Sequence, residues 1–187
     1  MTDADQATVL VVDDEERVTE AYQLWLEESY SVRTATGGEE ALEKLDDGVD
    51  VVLLDRQMPG LSGDEVLERI REEGYDSRVA MVTGVDPDFD IAELPFDDYL
   101  VKPVTQEDLQ EVVENLISVG GFDEKSQELF AVSQKRATLE SEKTDTELER
   151  SDEYERLGDR AEELRLQLDD AISEMDDEEM EELFREF

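Results

Sequence analysis

The sequence contains no cysteine and no histidine. Without cysteine the chain has no disulfide framework and no thiol chemistry. Without histidine it lacks the side chain that most often serves as a metal ligand or as a general base near neutral pH. Any chemistry of this chain must therefore use carboxylates, hydroxyls, amides or its few basic side chains.

Basic residues are scarce as well. Only 17 lysines and arginines stand against 56 aspartates and glutamates, and the formal net charge is -39. Acidic chains with few aromatic residues are often disordered, but here 38% of the residues are hydrophobic and they occur in dense blocks such as VDVVLLD. We therefore expect a folded polyanion whose self-repulsion is screened by concentrated salt, which is a halophilic adaptation.

Long hydrophobic runs are absent too. The first ten residues, MTDADQATVL, show no basic region followed by a long apolar core, and no stretch approaches the roughly 18 apolar residues of a membrane span. We expect a cytoplasmic protein with no membrane partner.

From Thr8 to about Val119, short apolar runs alternate with segments whose apolar residues recur at helical spacing. The predicted strands are Val9–Val12, Ser31–Ala35, Val49–Leu54, Arg78–Val82 and Asp98–Val101. The first, third and fourth are continuous apolar runs, typical of strands buried on both faces. Five strands alternating with helices predict an α/β fold, a doubly wound five-stranded parallel sheet.

The link between the fourth and fifth predicted strands is unusual. It reads GVDPDFDIAELPFDD and contains Pro87 and Pro95. Because proline ends or breaks a helix, the link has room for only a short helix with an acidic cap.

A domain boundary is predicted after Gly120. Gly120–Gly121 follows the last periodic residues of the fifth helix, where a left-handed cap is common, and the composition changes beyond it. Residues 1–120 would form the α/β domain and residues 121–187 an all-helical module.

The helical module shows a heptad seam made of Tyr154, Leu157, Ala161, Leu164, Leu168, Ala171 and Met175. The stretch before it has only a thin seam of Phe130, Ala137 and Thr144, and Ser151–Asp152 offers a break with a helix cap. The run Asp176–Glu179 would cap a short final helix. A helical hairpin and a dimerising coiled coil both fit this pattern.

Polar residues stand at the ends of four predicted strands. Asp13–Asp14 follow the first strand, Asp55 the third, Thr83–Gly84 the fourth and Lys102–Pro103 the fifth. In doubly wound sheets, ligands bind beyond the carboxyl ends of the strands, near the point where the strand order reverses. Three acids, a hydroxyl and a lysine are thus predicted to converge on one edge of the sheet.

Three clustered carboxylates are costly unless a cation neutralises them. A site with oxygen ligands and neither histidine nor cysteine suits Mg²⁺. Asp55 closes a buried strand, so its carboxylate can act as a nucleophile toward a phosphoryl group. The structural alternatives are a solvated helix N-terminus for Asp13–Asp14, a strand-end cap for Asp55, a buried strand residue for Thr83 and a surface cation for Lys102.

Four motifs, VVDDEE, LLDRQMPGLSG, MVTG and DDYLVKP, occur in this order between Thr8 and Val119. In this combination the segment resembles the flavodoxin-like receiver domain of response regulators in two-component phosphorelays. The resemblance implies that Asp55 accepts a phosphoryl group from the phosphohistidine of a sensor histidine kinase. It also implies a Mg²⁺ ion held by Asp13 through water, Asp14, Asp55 and the Gln57 carbonyl.

By the same resemblance, Lys102 pairs with the phosphate, Thr83 hydrogen-bonds to it and Gly84 leaves the pocket open. Tyr99 matches the aromatic switch position of the family. Once Thr83 moves toward a phosphate, space opens for the Tyr99 ring to turn inward. The alternative for Tyr99 is an ordinary side chain of an amphipathic edge strand. The short link between the fourth and fifth strands departs from the longer fourth helix usual in the family.

The segment from about Phe122 to Phe187 resembles the HalX domain that follows receivers in halophilic archaea, notably in KRATLESEKTDTELERSDEYERL. Acids far outnumber bases in it, and no basic patch exists to follow a phosphate backbone. Direct DNA binding is therefore possible but not favoured. A downstream protein, or a second copy of the chain, bound through the helices is the favoured partner.

The sequence thus predicts a phosphorelay response regulator that is not an enzyme apart from Mg²⁺-dependent self-phosphorylation and dephosphorylation on Asp55. The main alternative is a transcriptional regulator whose helical module binds DNA directly. A scaffold that works without phosphorylation would not need the complete set of acids, threonine and lysine. An aspartyl-phosphate hydrolase would need an Asp-x-Asp-x-Thr/Val run after the first strand, which DDEER does not supply.

Overall fold

The computed structural model describes residues 6–174. Its centre is a sheet of five strands, β1 Thr8–Val12, β2 Ser31–Ala35, β3 Val51–Leu54, β4 Arg78–Thr83 and β5 Asp98–Val101. All neighbouring strands are parallel and their order is β2-β1-β3-β4-β5, which confirms the predicted doubly wound sheet. β3 begins later than predicted because the Val49 N–H bonds to the Asp46 carbonyl, at 3.1 Å, in a turn.

Helices cover both faces of the sheet. α1 Glu16–Leu26 and α4 Gln106–Gly120 lie on one face, and α2 Gly38–Lys44 and α3 Gly63–Glu72 lie on the other. Side chains alternate along β1, so Val9 and Val11 point to the first face and Leu10 and Val12 to the second. None of the helices within residues 6–174 combines the length and the hydrophobicity needed to cross a membrane.

Capping boxes determine where two helices begin. At α3 the Ser62 hydroxyl accepts a hydrogen bond from the Glu65 N–H at 3.3 Å, and the Glu65 carboxylate accepts one from the Ser62 N–H at 2.9 Å. Thr105 and Asp108 form the same pair of bonds at α4, at 3.2 and 2.8 Å. Ser62 follows β3 and Thr105 follows β5, so both caps fix where the chain turns back into a helix after the carboxyl end of a strand.

The link between β4 and β5 forms a short 3-10 helix, Phe89–Glu93. Asp88 caps it by accepting a hydrogen bond from the Phe89 N–H at 2.9 Å. The predicted short, acid-capped helix is therefore confirmed. Because Pro87 and Pro95 stand on either side of this helix, the helix is short and leaves much of the neighbouring β5 surface for another element to cover.

Three helices follow α4: α5 Glu124–Glu142, the one-turn α6 Asp145–Leu148 and α7 Asp152–Glu174. α5 and α7 run antiparallel, since Arg160 pairs with Glu128 at 2.7 Å while Arg136 donates to the Tyr154 hydroxyl at 3.1 Å. The Ser151 hydroxyl accepts from the Tyr154 N–H at 3.1 Å and caps α7, as predicted. Of the two predicted arrangements, the single chain adopts the helical hairpin.

The predicted seams of the hairpin need correction. On α7, Leu157, Ala161 and Leu164 are buried but Ala171 is exposed. Met175 and Asp176–Glu179 lie outside the described residues. On α5 the thin predicted seam is wrong, because Ala137 is exposed and the buried residues are Val132, Lys135 and Leu139. Because Lys135 occupies a buried position, a count of apolar residues alone does not reveal the buried face of α5.

The hairpin packs against the sheet where the short link leaves room. Its buried residues Val132, Leu139, Leu157 and Leu164 belong to one hydrophobic cluster with Ile91, Phe96 and Tyr99. Gln134 donates to the Asp98 carboxylate at 3.1 Å, and Lys135 Nζ lies 5.0 Å from the centre of the Phe96 ring. One core therefore spans both parts of the chain. The division into domains 1–120 and 121–187 stays a prediction.

The left-handed cap predicted after α4 is wrong. Gly121 has φ -81° and ψ -7°, and its N–H bonds to the Ser118 carbonyl at 3.3 Å in a right-handed turn. This conformation is open to any residue, so the end of α4 does not require glycine.

Asp98, at the contact between β5 and α5, is only 6% exposed. Burial raises the pKa of Asp98 to about 6, although hydrogen bonds from the Tyr99 N–H and the Gln134 amide oppose the rise. Over the pH range from 3.8 to about 6, the folded protein holds a proton that the unfolded chain has lost, so the contribution of Asp98 to stability falls as pH rises. At neutral pH this costs at most about 3 kcal/mol.

We expect Asp98→Asn to raise the free energy of unfolding at neutral pH by about 1–2 kcal/mol and to change it little near pH ~4, because the amide resembles the protonated acid. Denaturant unfolding in concentrated salt at both pH values measures the difference. Asp159→Asn, which neutralises an exposed acid of α7, is the control and should show no such pH dependence. An equal effect of Asp98→Asn on the free energy of unfolding at both pH values would contradict the raised pKa of Asp98.

Candidate functional site

The polar residues that follow the strands are placed by the hydrogen-bond ladder of the sheet. The ladder continues past the strands, with the Asp13 N–H bonded to the Ala35 carbonyl at 3.1 Å, the Asp55 N–H to Val12 at 2.9 Å and the Lys102 N–H to Thr83 at 2.8 Å. Strand order reverses at β1, which lies between β2 and β3. The candidate residues therefore meet where ligands bind in doubly wound sheets.

Three acids lie together at this edge. One carboxylate oxygen from each of Asp13, Asp14 and Asp55 lies within 4.8 Å of the others. Lys102 Nζ binds the Asp13 carboxylate and lies 3.3 Å from Asp55 Oδ2. Asp13 and Asp55 are buried, whereas Asp14 is exposed. The structure thus brings together four of the residues singled out in the sequence.

The charges in this cluster are not balanced. Burial raises the pKa of Asp13, and hydrogen bonds from Lys102 and the Glu15 N–H oppose the rise. Burial alone would lower the pKa of Lys102, but its bond to Asp13 and the charges of Asp13 and Asp55 raise it. A charged Lys102 therefore faces three carboxylates. Such an excess of oxygen ligands and negative charge fits a divalent cation such as Mg²⁺.

The loop after β3 is held by a close approach of α3. A Cβ atom on Gly63 would lie 2.1 Å from the Asp55 carbonyl oxygen, so only glycine fits there. The Gly63 N–H also donates to the Arg56 carbonyl at 2.9 Å. Gln57 is exposed in this loop, and its N–H donates to Asp55 Oδ1 at 3.3 Å. Gln57 thus lies beside the acid cluster, and its part as a metal ligand stays a prediction.

Thr83 is the last residue of β4, the strand next to β3, and Gly84 follows it. Thr83 is 0% exposed, and its hydroxyl accepts a hydrogen bond from the Val85 N–H at 3.3 Å. Gly84 is exposed, and a Cβ atom there would meet nothing within 4 Å. Gly84 thus leaves open space after β4, and the contacts of both residues with a phosphate stay predictions.

Tyr99 is buried in β5, with only 5% of its surface exposed. Its hydroxyl donates to the Val85 carbonyl at 2.7 Å, and its ring centre lies 5.6 Å from that of Phe96. The ring therefore lies on the buried face of the edge strand β5, a position that the alternative of an ordinary amphipathic edge-strand side chain also allows. Thr83 and Tyr99 both bond to the backbone of Val85, which joins the two predicted switch residues, although the switch itself stays a prediction.

Sequence reasoning missed Arg56, which follows Asp55 directly. Its guanidinium Nε binds Asp64 Oδ1 at 3.0 Å, and its Nη2 also binds Asp90 of the 3-10 helix. The Arg56 side chain is only 12% exposed. A signal was present in the motif LLDRQMPG, since an arginine directly after a strand-end acid is conspicuous in a chain with so few bases.

A doubly wound sheet with an acid cluster and a lysine at its strand ends is the architecture of receiver domains. The family model of the response regulator receiver domain matches residues 9–114, and that of the HalX domain matches residues 118–184. The chain belongs to the response regulator receiver family and carries a HalX domain after the receiver.

Two curated relatives illustrate the family. A Haloferax volcanii protein named "Putative transcriptional regulator" is 54% identical over 139 residues, which are 74% of this chain and 24% of that protein. The alkaline phosphatase synthesis transcriptional regulatory protein PhoP of Bacillus subtilis is 38% identical over 114 residues, 58% of this chain and 48% of that protein. The chain therefore spans from about a quarter to about half of the length of these relatives.

Solved structures show the same likeness for the receiver. A CheY-like receiver domain protein from Methanospirillum hungatei matches with a TM-score of 0.59 and 26% identity, covering 62% of this chain and 97% of that one. The response regulator TrrA of Thermotoga maritima, solved in complex with Mg²⁺ and BeF, matches with a TM-score of 0.54 and 39% identity, covering 59% of this chain and 98% of that one. The solved fold thus extends over most of the receiver.

Mg²⁺ should bind at the acid cluster and stabilise the folded protein, because an ion that binds only the native state raises the unfolding midpoint. We expect Asp14→Asn to weaken this Mg²⁺ binding by about tenfold or more, since a carboxylate ligand is lost. Thermal unfolding with Mg²⁺ titrated at constant ionic strength measures the affinity. Asp159→Asn should titrate like the wild type. If Asp14→Asn does so too, the ion binds elsewhere on the acidic surface.

Proposed function

We propose that this chain is a response regulator that accepts a phosphoryl group on Asp55 from the phosphohistidine of a sensor histidine kinase. The observation that supports it is the position of the Asp55 carboxylate, which lies 3.3 Å from Lys102 Nζ and in one cluster with Asp13 and Asp14. A buried nucleophile beside a fixed cation is arranged for phosphoryl transfer, in which catalysis consists mainly of positioning and charge neutralisation.

The reaction exchanges one bond to phosphorus for another. A carboxylate oxygen of Asp55 forms the new P–O bond while the P–N bond of the phosphohistidine breaks, and the released imidazole takes up a proton. Lys102 binds the oxygens of the incoming group as a point charge. Thr83 at the end of the neighbouring strand gives it a hydroxyl donor, and Gly84 after that strand gives it open space.

Asp13, Asp14, Asp55 and the Gln57 carbonyl would hold Mg²⁺, which when bound neutralises the negative charge that phosphoryl transfer gathers at this edge. Asp14 is the most accessible of the three acids, so it offers a direct ligand. Asp13 is already bound to Lys102 and to the Glu15 N–H, which suits a ligand that acts through water. Activity of the chain is limited to phosphorylation and dephosphorylation of its own Asp55.

The helical hairpin is the output of the proposed switch, toward a downstream protein or a second copy of the chain. Its heptad seam is only partly free for a partner, because Leu157, Ala161 and Leu164 are buried within the chain. Leu166, on α7, is 60% exposed and lies outside that buried seam. A partner helix would therefore bind α7 beside its buried seam, or bind the seam once the hairpin has loosened.

Direct DNA binding by the hairpin is the second candidate, and the transcriptional names of the relatives favour it. The charges of the hairpin oppose it. Four of its bases form ion pairs with acids, namely Arg136, Lys143, Arg156 and Arg160. Retention of DNA by the full chain in concentrated salt would support this candidate, and its absence would leave protein partners as the output.

Incubation with Mg²⁺ and acetyl phosphate in concentrated salt should label the wild-type chain on Asp55. Because an acyl phosphate is formed, the label should be stable in acid and lost in base. We expect Asp55→Asn to abolish the label, since an amide is not a nucleophile toward phosphorus. Asp47→Asn, which neutralises an exposed acid before β3, should label normally. Labelling of Asp55→Asn at the wild-type level would refute the phosphoacceptor assignment.

A further inference from the structure

The 3-10 helix and its cap form a segment, Asp88–Glu93, that is held from two sides and is called here the coupling segment. It follows closely on Thr83 and Gly84, so it leaves directly from the strand-end edge. Its Ile91 is 0% exposed in the core shared by the receiver and the hairpin. Its polar contacts come from the receiver on one side and from the hairpin on the other.

On the receiver side, Arg56 holds the coupling segment. The guanidinium binds Asp64 of α3 with Nε and Nη2, at 3.0 and 3.1 Å, and binds Asp90 of the coupling segment with Nη2. The Arg56 side chain is 12% exposed, whereas Asp64 and Asp90 are 34% and 54% exposed, so salt screens the pair with Asp64 less than the pair with Asp90. The Arg56 side chain thus links the loop that directly follows Asp55 to the coupling segment.

On the hairpin side, α5 holds the same segment. Lys143 follows α5 and pairs with Asp88 at 2.9 Å, and its Nζ lies 5.4 Å from the centre of the Phe89 ring. Lys135 donates to the Ala92 carbonyl at 3.5 Å. A movement of the coupling segment therefore changes the surface on which α5 lies.

We propose that the Arg56–Asp90 ion pair transmits the phosphorylation state of Asp55 to the helical hairpin. This inference rests on the proposed phosphorylation of Asp55. A phosphoryl group there adds negative charge and acceptor oxygens to the residue that directly precedes Arg56 in the chain. The guanidinium then has a stronger partner than the Asp90 carboxylate, whose side chain is 54% exposed.

Loss of the Asp90 contact releases the receiver side of the coupling segment. The segment stays attached to α5 through Lys143 and Lys135, so it moves with the hairpin rather than with the receiver. Phosphorylation therefore loosens the hairpin from β5 and exposes helix surface to a partner. Asp64 lies on α3 and not on the coupling segment, so its pair with Arg56 has no part in this transmission.

Hydrogen exchange of the full chain in concentrated salt, followed by mass spectrometry, tests the ion pair first without phosphate. We expect Asp90→Asn to speed amide exchange in the coupling segment and in α5 by about fivefold, because a lost ion pair shifts the local opening equilibrium by about that factor. Asp64→Asn removes the other partner of the same guanidinium and should leave these amides at wild-type rates. Wild-type rates in Asp90→Asn would overturn the proposal.

The second arm adds Mg²⁺ and acetyl phosphate, and intact mass measures phosphate uptake in the same samples. We expect phosphorylation to speed exchange of the coupling segment and α5 in the wild type and in Asp64→Asn. Asp90→Asn should take up phosphate equally and show no further change. If the wild type takes up phosphate but its amide exchange does not change, the coupling is overturned and Asp55 remains the phosphoacceptor. If the wild type takes up no phosphate, the proposed function is overturned, and so is the coupling that rests on it.

Discussion

The ion pairs of Lys102 with Asp13 and Asp55 hold together an edge that like charges would otherwise drive apart. In a chain of net charge -39, three neighbouring carboxylates repel each other, and burial of two of them strengthens the repulsion because less water surrounds them. Lys102 directly follows β5, two strands away from β3, so its side chain must reach past the end of β4. Thr83 is the last residue of β4 and Gly84 follows it, so the end of β4 carries only small side chains. The placement of the cation and the open space after β4 are thus one structural feature.

The shortness of the link between β4 and β5 has a comparable consequence for the helical hairpin. A long helix in this link would cover β5 and leave the hairpin without a surface to bury. Because the link forms only the 3-10 helix Phe89–Glu93, α5 and α7 complete the core around Ile91, Phe96 and Tyr99. The receiver and the hairpin therefore share buried residues that neither can keep buried alone. A change at the strand-end edge that moves the link must alter the packing of the hairpin as well.

The sequence predicted the sheet and the strand-end cluster well because both follow from short-range patterns. Apolar runs mark the buried strands, and the residues after parallel strands necessarily meet at one edge. Pairings between distant, irregular segments carry no such pattern. Arg56 and Asp90 are 34 residues apart, and nothing in either motif indicates that they meet. Lys135 escaped notice for a different reason. A lysine is read as facing solvent, whereas here its methylene groups are buried and its amine lies over the Phe96 ring.

The few basic side chains of this protein are not spread evenly over its surface. Several basic side chains that join distant parts of the molecule are shielded, with exposures of 20% for Lys102, 12% for Arg56, 14% for Arg78 and 19% for Lys143, whereas Arg156 is 62% exposed. At an ionic strength near 1 M the screening length is only about 3 Å, so pairs in open solvent contribute little. Ion pairs that protein atoms shield keep their strength under the same conditions. A charge added at Asp55 in concentrated salt therefore acts most strongly on a shielded cation close to it, and Lys102, whose Nζ lies 3.3 Å from Asp55 Oδ2, is such a cation.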